Sequence, residues 1–297
     1  MFNRFKIYFK EMFPIANFLG GLLLAISFLL LLHKFHGKTF HFDQVTILCA
    51  LSTMFFILLI RLMDEFKDYE DDLVNYPDRP LPSGRVKLED IRVLYYIVIA
   101  ILIGLHITVP KLAIAGLVVF IFSLLMLKWF FMEKAIRASL PLALLSHHPI
   151  VYLYIGYIYV AYTMIDPGHN INSLLYGIPL AFTYTSWEIS RKIRKPEHED
   201  SYTTYSMVWG SKRAPGIAVL CHYVTAVGFA HYYYTMKFPL WWTIGYLLGH
   251  IIISIPYFQF IKSFKISPNA DIKRPLRVYS EYSMLWAKAA LIISYFL

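Results

Sequence analysis

Apolar runs long enough to cross a bilayer recur along almost the whole chain, near 14–33, 42–63, 90–108, 111–131, 138–165, 172–190, 214–236, 239–261 and 282–297. A hydrocarbon core of about 30 Å needs about 20 such residues when they are helical, and helices leave no backbone polar group unpaired in lipid. The pattern therefore predicts an all-α, polytopic membrane protein with nine transmembrane helices. Composition agrees: 58% of the 297 residues are hydrophobic and 16% are charged, against about 25% charged in ordinary soluble domains. The first run is expected to be a span and not a cleaved signal, because it is long and no small-residue cleavage site follows it. Cys49 and Cys221 lie inside apolar runs, so they are expected to pack as small hydrophobes.

The connecting segments alternate in basic content, which tests the span count without using hydropathy. One side carries Arg4, Lys6 and Lys10; then Arg61, Lys67, Arg79, Arg85, Lys87 and Arg92; then Lys128, Lys134 and Arg137. The same side carries Arg191, Lys192, Arg194, Lys195, Lys212 and Arg213, and finally Lys262, Lys265, Lys273, Arg274 and Arg277. Only Lys34, Lys38, Lys111 and Lys237 fall opposite. The positive-inside rule then puts the amino terminus in the cytoplasm and the carboxyl terminus across the membrane, with a bacterial inner membrane as the expected location. Topology and attraction to anionic lipid account for the net charge of +9, so no nucleic-acid partner is implied.

Against this basic background, "RLMDEFKDYEDDLVNYPDRPLPSGRV" gathers Asp64, Glu65, Asp68, Glu70, Asp71, Asp72 and Asp78 directly behind an apolar run. If the second span stays helical past Met63, then Arg61, Asp64, Glu65, Asp68 and Asp72 recur at spacings of three and four, on one face. They would stand at a helix carboxyl end, where the macrodipole disfavours anions and the like charges repel. Arg61 and Lys67 are too few to neutralise seven acids. Either salt and water screen an exposed loop, or a divalent cation sits among the carboxylates. Oxygen-only ligands suit Mg²⁺, which is often completed by substrate phosphate, and Arg79 and Arg85 follow on a loop stiffened by Pro77, Pro80 and Pro82. Acids with arginines nearby fit a phosphorylated or diphosphorylated substrate.

A second polar site ends the sixth run. Glu188 is an ionisable group at the edge of a span, a functional candidate, while Arg191 and Lys192 stand at the spacing of a simple helical salt bridge. His147-His148-Pro149 predicts a kink or a polar cavity wall, with one histidine satisfied by a neighbouring carbonyl. Tyr152, Tyr154, Tyr157 and Tyr159 crowd the fifth run.

Asp64-Glu65-x-x-Asp68-x-x-x-Asp72 followed by "RPLPSGR" resembles the first motif of the UbiA-type intramembrane prenyltransferases, usually Asn-Asp-x-x-Asp-x-x-x-Asp with an Arg-Pro-x-x-x-Gly stretch. The resemblance implies one domain over 1–297, nine helices around a central cavity, and cytoplasmic cap loops near 64–89 and 191–213. It further implies two acidic motifs that hold Mg²⁺ and a prenyl diphosphate. Asp64 stands at the family's Asn, Glu65 at its first Asp, and Asp68 and Asp72 at the other two. "FSLLMLK" is similar to the family's Tyr-Ser…Lys segment, with Phe122 for Tyr and Lys128 toward diphosphate. The second motif departs, because Arg191 and Lys192 stand where a second carboxylate is usual. Either Glu197, Glu199 or Asp200 reaches back, or Arg191 and Lys192 bind diphosphate themselves.

These roles follow from the resemblance: Asp64, Glu65, Asp68, Asp72 and Glu188 as metal ligands; Asp68 and Glu188 as catalytic; Arg61, Arg79, Arg85, Lys128, Arg191 and Lys192 as diphosphate-binding. The expected reaction is Mg²⁺-dependent transfer of an isoprenyl group from its diphosphate to a lipophilic acceptor, for example an aromatic one. Ionisation needs a stabilised leaving group and a dry cavity, and the 23 Tyr, 23 Phe and 6 Trp offer ring faces to a carbocation. A terpene cyclase shares the ionisation step. A cation-coupled carrier fits less well, since its carboxylates usually lie near mid-membrane, often in inverted repeats.

Overall fold

The computed structural model describes residues 1–199, 202–266 and 275–297, with 263–266 as backbone alone. Asp200, Lys273, Arg274 and the side chain of Lys265 lie outside the described residues. In chain order the helices are α1 (Phe2–Glu11), α2 (Ile15–Phe35), α3 (Gln44–Lys67), α4 (Tyr69–Asn75), α5 (Leu88–His106), α6 (Pro110–Leu127) and α7 (Glu133–Arg137). Then come α8 (Leu140–His147), α9 (Pro149–Ile165), α10 (Ile178–Ser190), α11 (Tyr205–Trp209), α12 (Arg213–Thr235), α13 (Leu240–Ile266) and α14 (Leu276–Tyr295). No strand occurs among the described residues.

Local sequence sets the ends of these helices. Asp43 starts α3 by accepting the Thr46 N–H at 2.7 Å, and Ser139 starts α8 by accepting that of Leu142 at 3.3 Å. Proline occupies the first turn of α6, α8 and α10, where its missing N–H costs nothing. Among the described residues, five helices are long and apolar enough to cross a membrane: α2, α3, α6, α12 and α13 as far as Lys262. The remaining predicted spans also overlap helices, and their shortfall has local causes. Pro149 separates α8 from α9, a 3-10 turn over Ile171–Gly177 shortens α10, and α5 and α14 carry charges such as Asp90, Arg92, Glu281 and Lys288. The helix is interrupted at His147-His148-Pro149, and His147 Nδ1 lies 3.0 Å from the Ala143 carbonyl.

The chain forms two compact units. The first contains residues 1–29, 39–135 and 153–169, and packs α3 against α5 and α6. Leu58, Leu59, Leu62, Ile91, Leu94, Val98 and Leu112 are buried there, as is Cys49. α6 turns Ile114, Leu117, Val118 and Ile121 outward, an exposed apolar face. A helix outside the predicted spans, α1, joins this unit through Arg4, whose Nη2 donates to Asp90 at 2.9 Å. His106 on α5, not singled out from sequence, meets the Tyr157 hydroxyl at 2.9 Å.

The second unit contains residues 30–38, 136–152 and 170–297, with α10 packed on α12 and α14, and α12 on α13. Ile189, Tyr205, Ala218, Cys221, Tyr257, Phe260 and Leu276 form one core cluster. Small residues let α10 approach closely, and their hydroxyls are used: Ser186 donates to the Ala218 carbonyl at 2.9 Å and Ser190 shares a 2.8 Å hydrogen bond with Tyr257. Both cysteines are free and buried, as their apolar surroundings predict.

Candidate functional site

The first unit presents the acidic motif at a break between two helices. α3 continues past Met63 to Lys67 and stops at Asp68, whose φ of −101° and ψ of 7° are not helical. The Asp68 N–H still reaches the Asp64 carbonyl at 2.8 Å, and Asp72 N–H reaches the Asp68 carbonyl at 2.8 Å, so the stacking of Asp64, Asp68 and Asp72 survives the break. One expectation is corrected here. Not all the acids stand at an unfavourable helix carboxyl end, because Glu70, Asp71 and Asp72 occupy the first turn of α4, where the backbone dipole favours anions.

Cations pair with three of the four motif acids. Arg61 Nη2 donates to Glu65, which is 1% exposed. Lys67 lies 2.8 Å from Asp64. Arg79 Nη1 donates to both oxygens of buried Asp72 at 2.7 Å and lies 3.8 Å from the centre of the Tyr76 ring. Asp68 has no such partner among the described residues. Burial, together with Asp64, Asp72 and Asp71 and against Lys67, pushes its carboxyl from 3.8 up to about 6. Beneath the cluster, Arg61 Nε is buried with no hydrogen-bond partner.

The loop after α4 is built by turns that Arg79, Leu81 and Gly84 close. The Ser83 N–H donates to the Arg79 carbonyl at 3.0 Å, Val86 N–H to that of Pro80 at 2.8 Å, and Gly84 takes a φ of 75°. Leu81 and Val86 bury their side chains and anchor it. Arg85 points away from the acids. Its Nη1 donates to Glu11 at 2.6 Å and its Nη2 to the Asp78 carbonyl at 2.6 Å, which ties the loop to α1. The carboxyl of Glu11 is held below the usual carboxylate range by the Arg85 guanidinium. Lys128 stands with Lys67 and Arg92 around a shallow hollow. Arg92 was counted from sequence only among the basic loop charges, and Glu11 was not singled out at all; the signal for Glu11 was its place on an amphipathic segment ahead of the first span.

Among the described residues no three His, Cys, Asp or Glu side chains are gathered closely enough to cage a metal ion. The donor set nevertheless fits a hard divalent cation. Its ligands are oxygen alone, and one carboxylate, Asp68, lies without a cation partner among the described residues, its pKa raised first by burial and then by the neighbouring acids. Loading would require Asp64 and Asp72 to turn from their present cations.

In the second unit, Glu188 at the end of α10 accepts from Arg191 Nη2 at 2.9 Å and lies 3.4 Å from Lys192 Nζ, the helical salt bridge that the spacing allowed. The Arg191 guanidinium lies 5.3 Å from the Trp187 ring centre. Neither described acid of the following loop reaches back. Glu199 accepts from Thr204 and Ser206 at 2.8 and 2.7 Å, and Glu197 lies 3.9 Å from Lys195. His148 Nε2 meets Thr185 Oγ1 at 2.6 Å.

Two solved structures share this fold across almost the whole chain. One comes from work on the biosynthesis of digeranylgeranylglyceryl phosphate synthase in membranes; it is 18% identical with a TM-score of 0.62, covering 99% of both chains. The other is an apo UbiA homologue from Aeropyrum pernix K1, 14% identical with a TM-score of 0.67, covering 95% of this chain and 98% of that one. In sequence, a digeranylgeranylglyceryl phosphate synthase of Methanosphaera stadtmanae is 27% identical over 199 residues, which is 64% of this chain and 67% of that protein. The UbiA prenyltransferase family profile matches residues 35–286, most of the chain and residues of both units. With helices apolar enough to span a bilayer, this is an integral membrane protein, and it belongs to the UbiA prenyltransferase family.

Proposed function

We propose that the protein transfers an isoprenyl group from its diphosphate to a lipophilic acceptor, with Mg²⁺ held by Asp64, Glu65, Asp68 and Asp72. The observation that carries the reading is Asp68: half-buried, unpaired and crowded by acids at the tip of an apolar helix. Magnesium, when bound there, supplies positive charge against the departing diphosphate. The chain's own groups do the rest. Arg61 offers a buried, unpartnered Nε, and Arg79 turns a planar fork toward phosphate oxygens once Asp72 serves a cation. Asp68 is the catalytic carboxylate of this set. In the second unit Arg191 and Lys192 are assigned to diphosphate, with Glu188 holding them in position. That assignment needs no second metal ligand set.

The acceptor is a phosphorylated glyceryl lipid on this reading, supported by the name of the Methanosphaera relative. Nine membrane crossings with a cytoplasmic amino terminus complete it, supported by the basic loops and by helices at every predicted span. The test is release of diphosphate from prenyl diphosphates by purified protein, with and without Mg²⁺ and with a lipid acceptor. Asp68→Ala is expected to lower release about a hundredfold or more and to abolish its response to Mg²⁺. Equal release by wild type and variant rejects the reading.

A further inference from the structure

Three cations from three helices surround one shallow hollow of the first unit. Lys67 ends α3, Arg92 belongs to the first turns of α5, and Lys128 follows α6; Phe66, Tyr95 and Tyr96 complete most of the wall around about 330 Å³. No carboxylate lines it. Lys67 is engaged by Asp64 at 2.8 Å, but neither Arg92 nor Lys128 forms an ion pair among the described residues. Uncompensated cations converging on a concave surface call for an anion.

The position of the hollow narrows what that anion is. α3 and α6 end here and α5 begins here, on the side where the basic loops lie, which is headgroup depth for a spanning helix. Tyr95 meets Phe66 edge-on at 5.8 Å and Tyr96 at 5.4 Å, giving an aromatic wall suited to the interface. Below it, α5 turns Tyr96, Ile103 and Ile107 outward, 62%, 62% and 75% exposed. With Arg92 they recur at intervals of four, seven and four residues, one continuous stripe along the helix. A phosphate at Arg92 would lead directly onto an apolar track for an acyl chain. Basic pockets between transmembrane helices take acidic lipid headgroups for these reasons.

The wall is also fixed in place. Immediately after Lys128 the backbone is left-handed at Trp129, Phe130 and Phe131, with φ of 51°, 50° and 59°. Each such residue costs about 1–2 kcal/mol, so side-chain contacts hold the turn. Phe130 packs on Phe122 at 5.3 Å, and Lys67 Nζ lies 4.8 Å from the centre of the Trp129 ring. That turn sets the position from which Lys128 projects.

We propose that this hollow binds the phosphate of an anionic membrane lipid, with an acyl chain along the outer stripe of α5. The lipid meant is a resident of the bilayer and not the phosphorylated acceptor of the proposed reaction, which is why the test reads the effect of Arg92, outside the acidic motif. The inference gives Lys128 to that lipid in place of the prenyl diphosphate. The test is native mass spectrometry of the full chain in detergent, titrated with phosphatidic acid or phosphatidylcholine. Wild type is expected to retain phosphatidic acid in preference. Arg92→Gln should weaken that affinity about fivefold, the effect of about 1 kcal/mol for one basic residue near a membrane surface, whereas Arg92→Lys should retain most of it. Arg92 is exposed, and an unchanged melting temperature shows that the variants are folded. Equal phosphatidic acid affinity in wild type and Arg92→Gln overturns the inference. So does displacement of the lipid by millimolar inorganic phosphate or diphosphate, which would make the hollow a site for a free anion.

Discussion

Asp68 sets the pH behaviour of the acidic motif. Its carboxyl is pushed up to about 6 in the folded protein against 3.8 ordinarily. Between those values the folded state keeps a proton that the unfolded chain has released. Stability of the cation-free protein should therefore fall as pH rises through that window and level off above pH 6. Binding of a divalent cation needs the ionised form, so it should strengthen over the same window. Melting curves from pH 4 to 7 check the first statement, and Asp68→Asn should flatten them. Arg79 and Asp72 behave as a unit. Arg79→Ala leaves Asp72 buried without its donor, at an expected cost of about 1–3 kcal/mol; adding Asp72→Asn should recover part of it. If the double variant melts at the temperature that simple addition of the two single losses gives, the two side chains are not coupled.

At the scale of elements, the loop from Tyr76 to Lys87 owes its shape to one left-handed residue. No atom lies within 4 Å of where a Gly84 side chain would begin, so the cost of substitution there is conformational alone. Gly84→Ala should cost about 1–2 kcal/mol and Gly84→Asn less, read as faster amide exchange over residues 76–87. The sequence made α3, the proline break at 149 and the salt bridge at Glu188 legible, because apolar periodicity, a missing N–H and helical spacing are local properties. It did not reveal that a new helix, α4, begins at Tyr69 directly after Asp68, since the seven acids read equally as one helix end or as a new helix start. Nor did it reveal where Arg85 and Arg92 point. Arg85 pairs with Glu11, 74 positions away, and such a choice among distant charges depends on packing.

Over the whole molecule, basic loops and apolar runs fixed the membrane character, and the helices of both units fall where those runs lie. The predicted orientation is tested by single cysteines in a cysteine-free background. Thr39→Cys, between α2 and α3, should react with an impermeant maleimide from outside intact cells, and Val74→Cys on α4 only after permeabilisation. Labelling of both from the same side contradicts the topology. The contacts of α1 reach further than its ten residues suggest: Arg4 grips Asp90 at the start of α5 and Glu11 grips Arg85 in the motif loop. An affinity tag joined ahead of Met1 is therefore not a neutral handle, because any pull it exerts is passed to the motif loop at Arg85 and to the start of α5 at Asp90. Purification and assay are better served by a label at the other terminus.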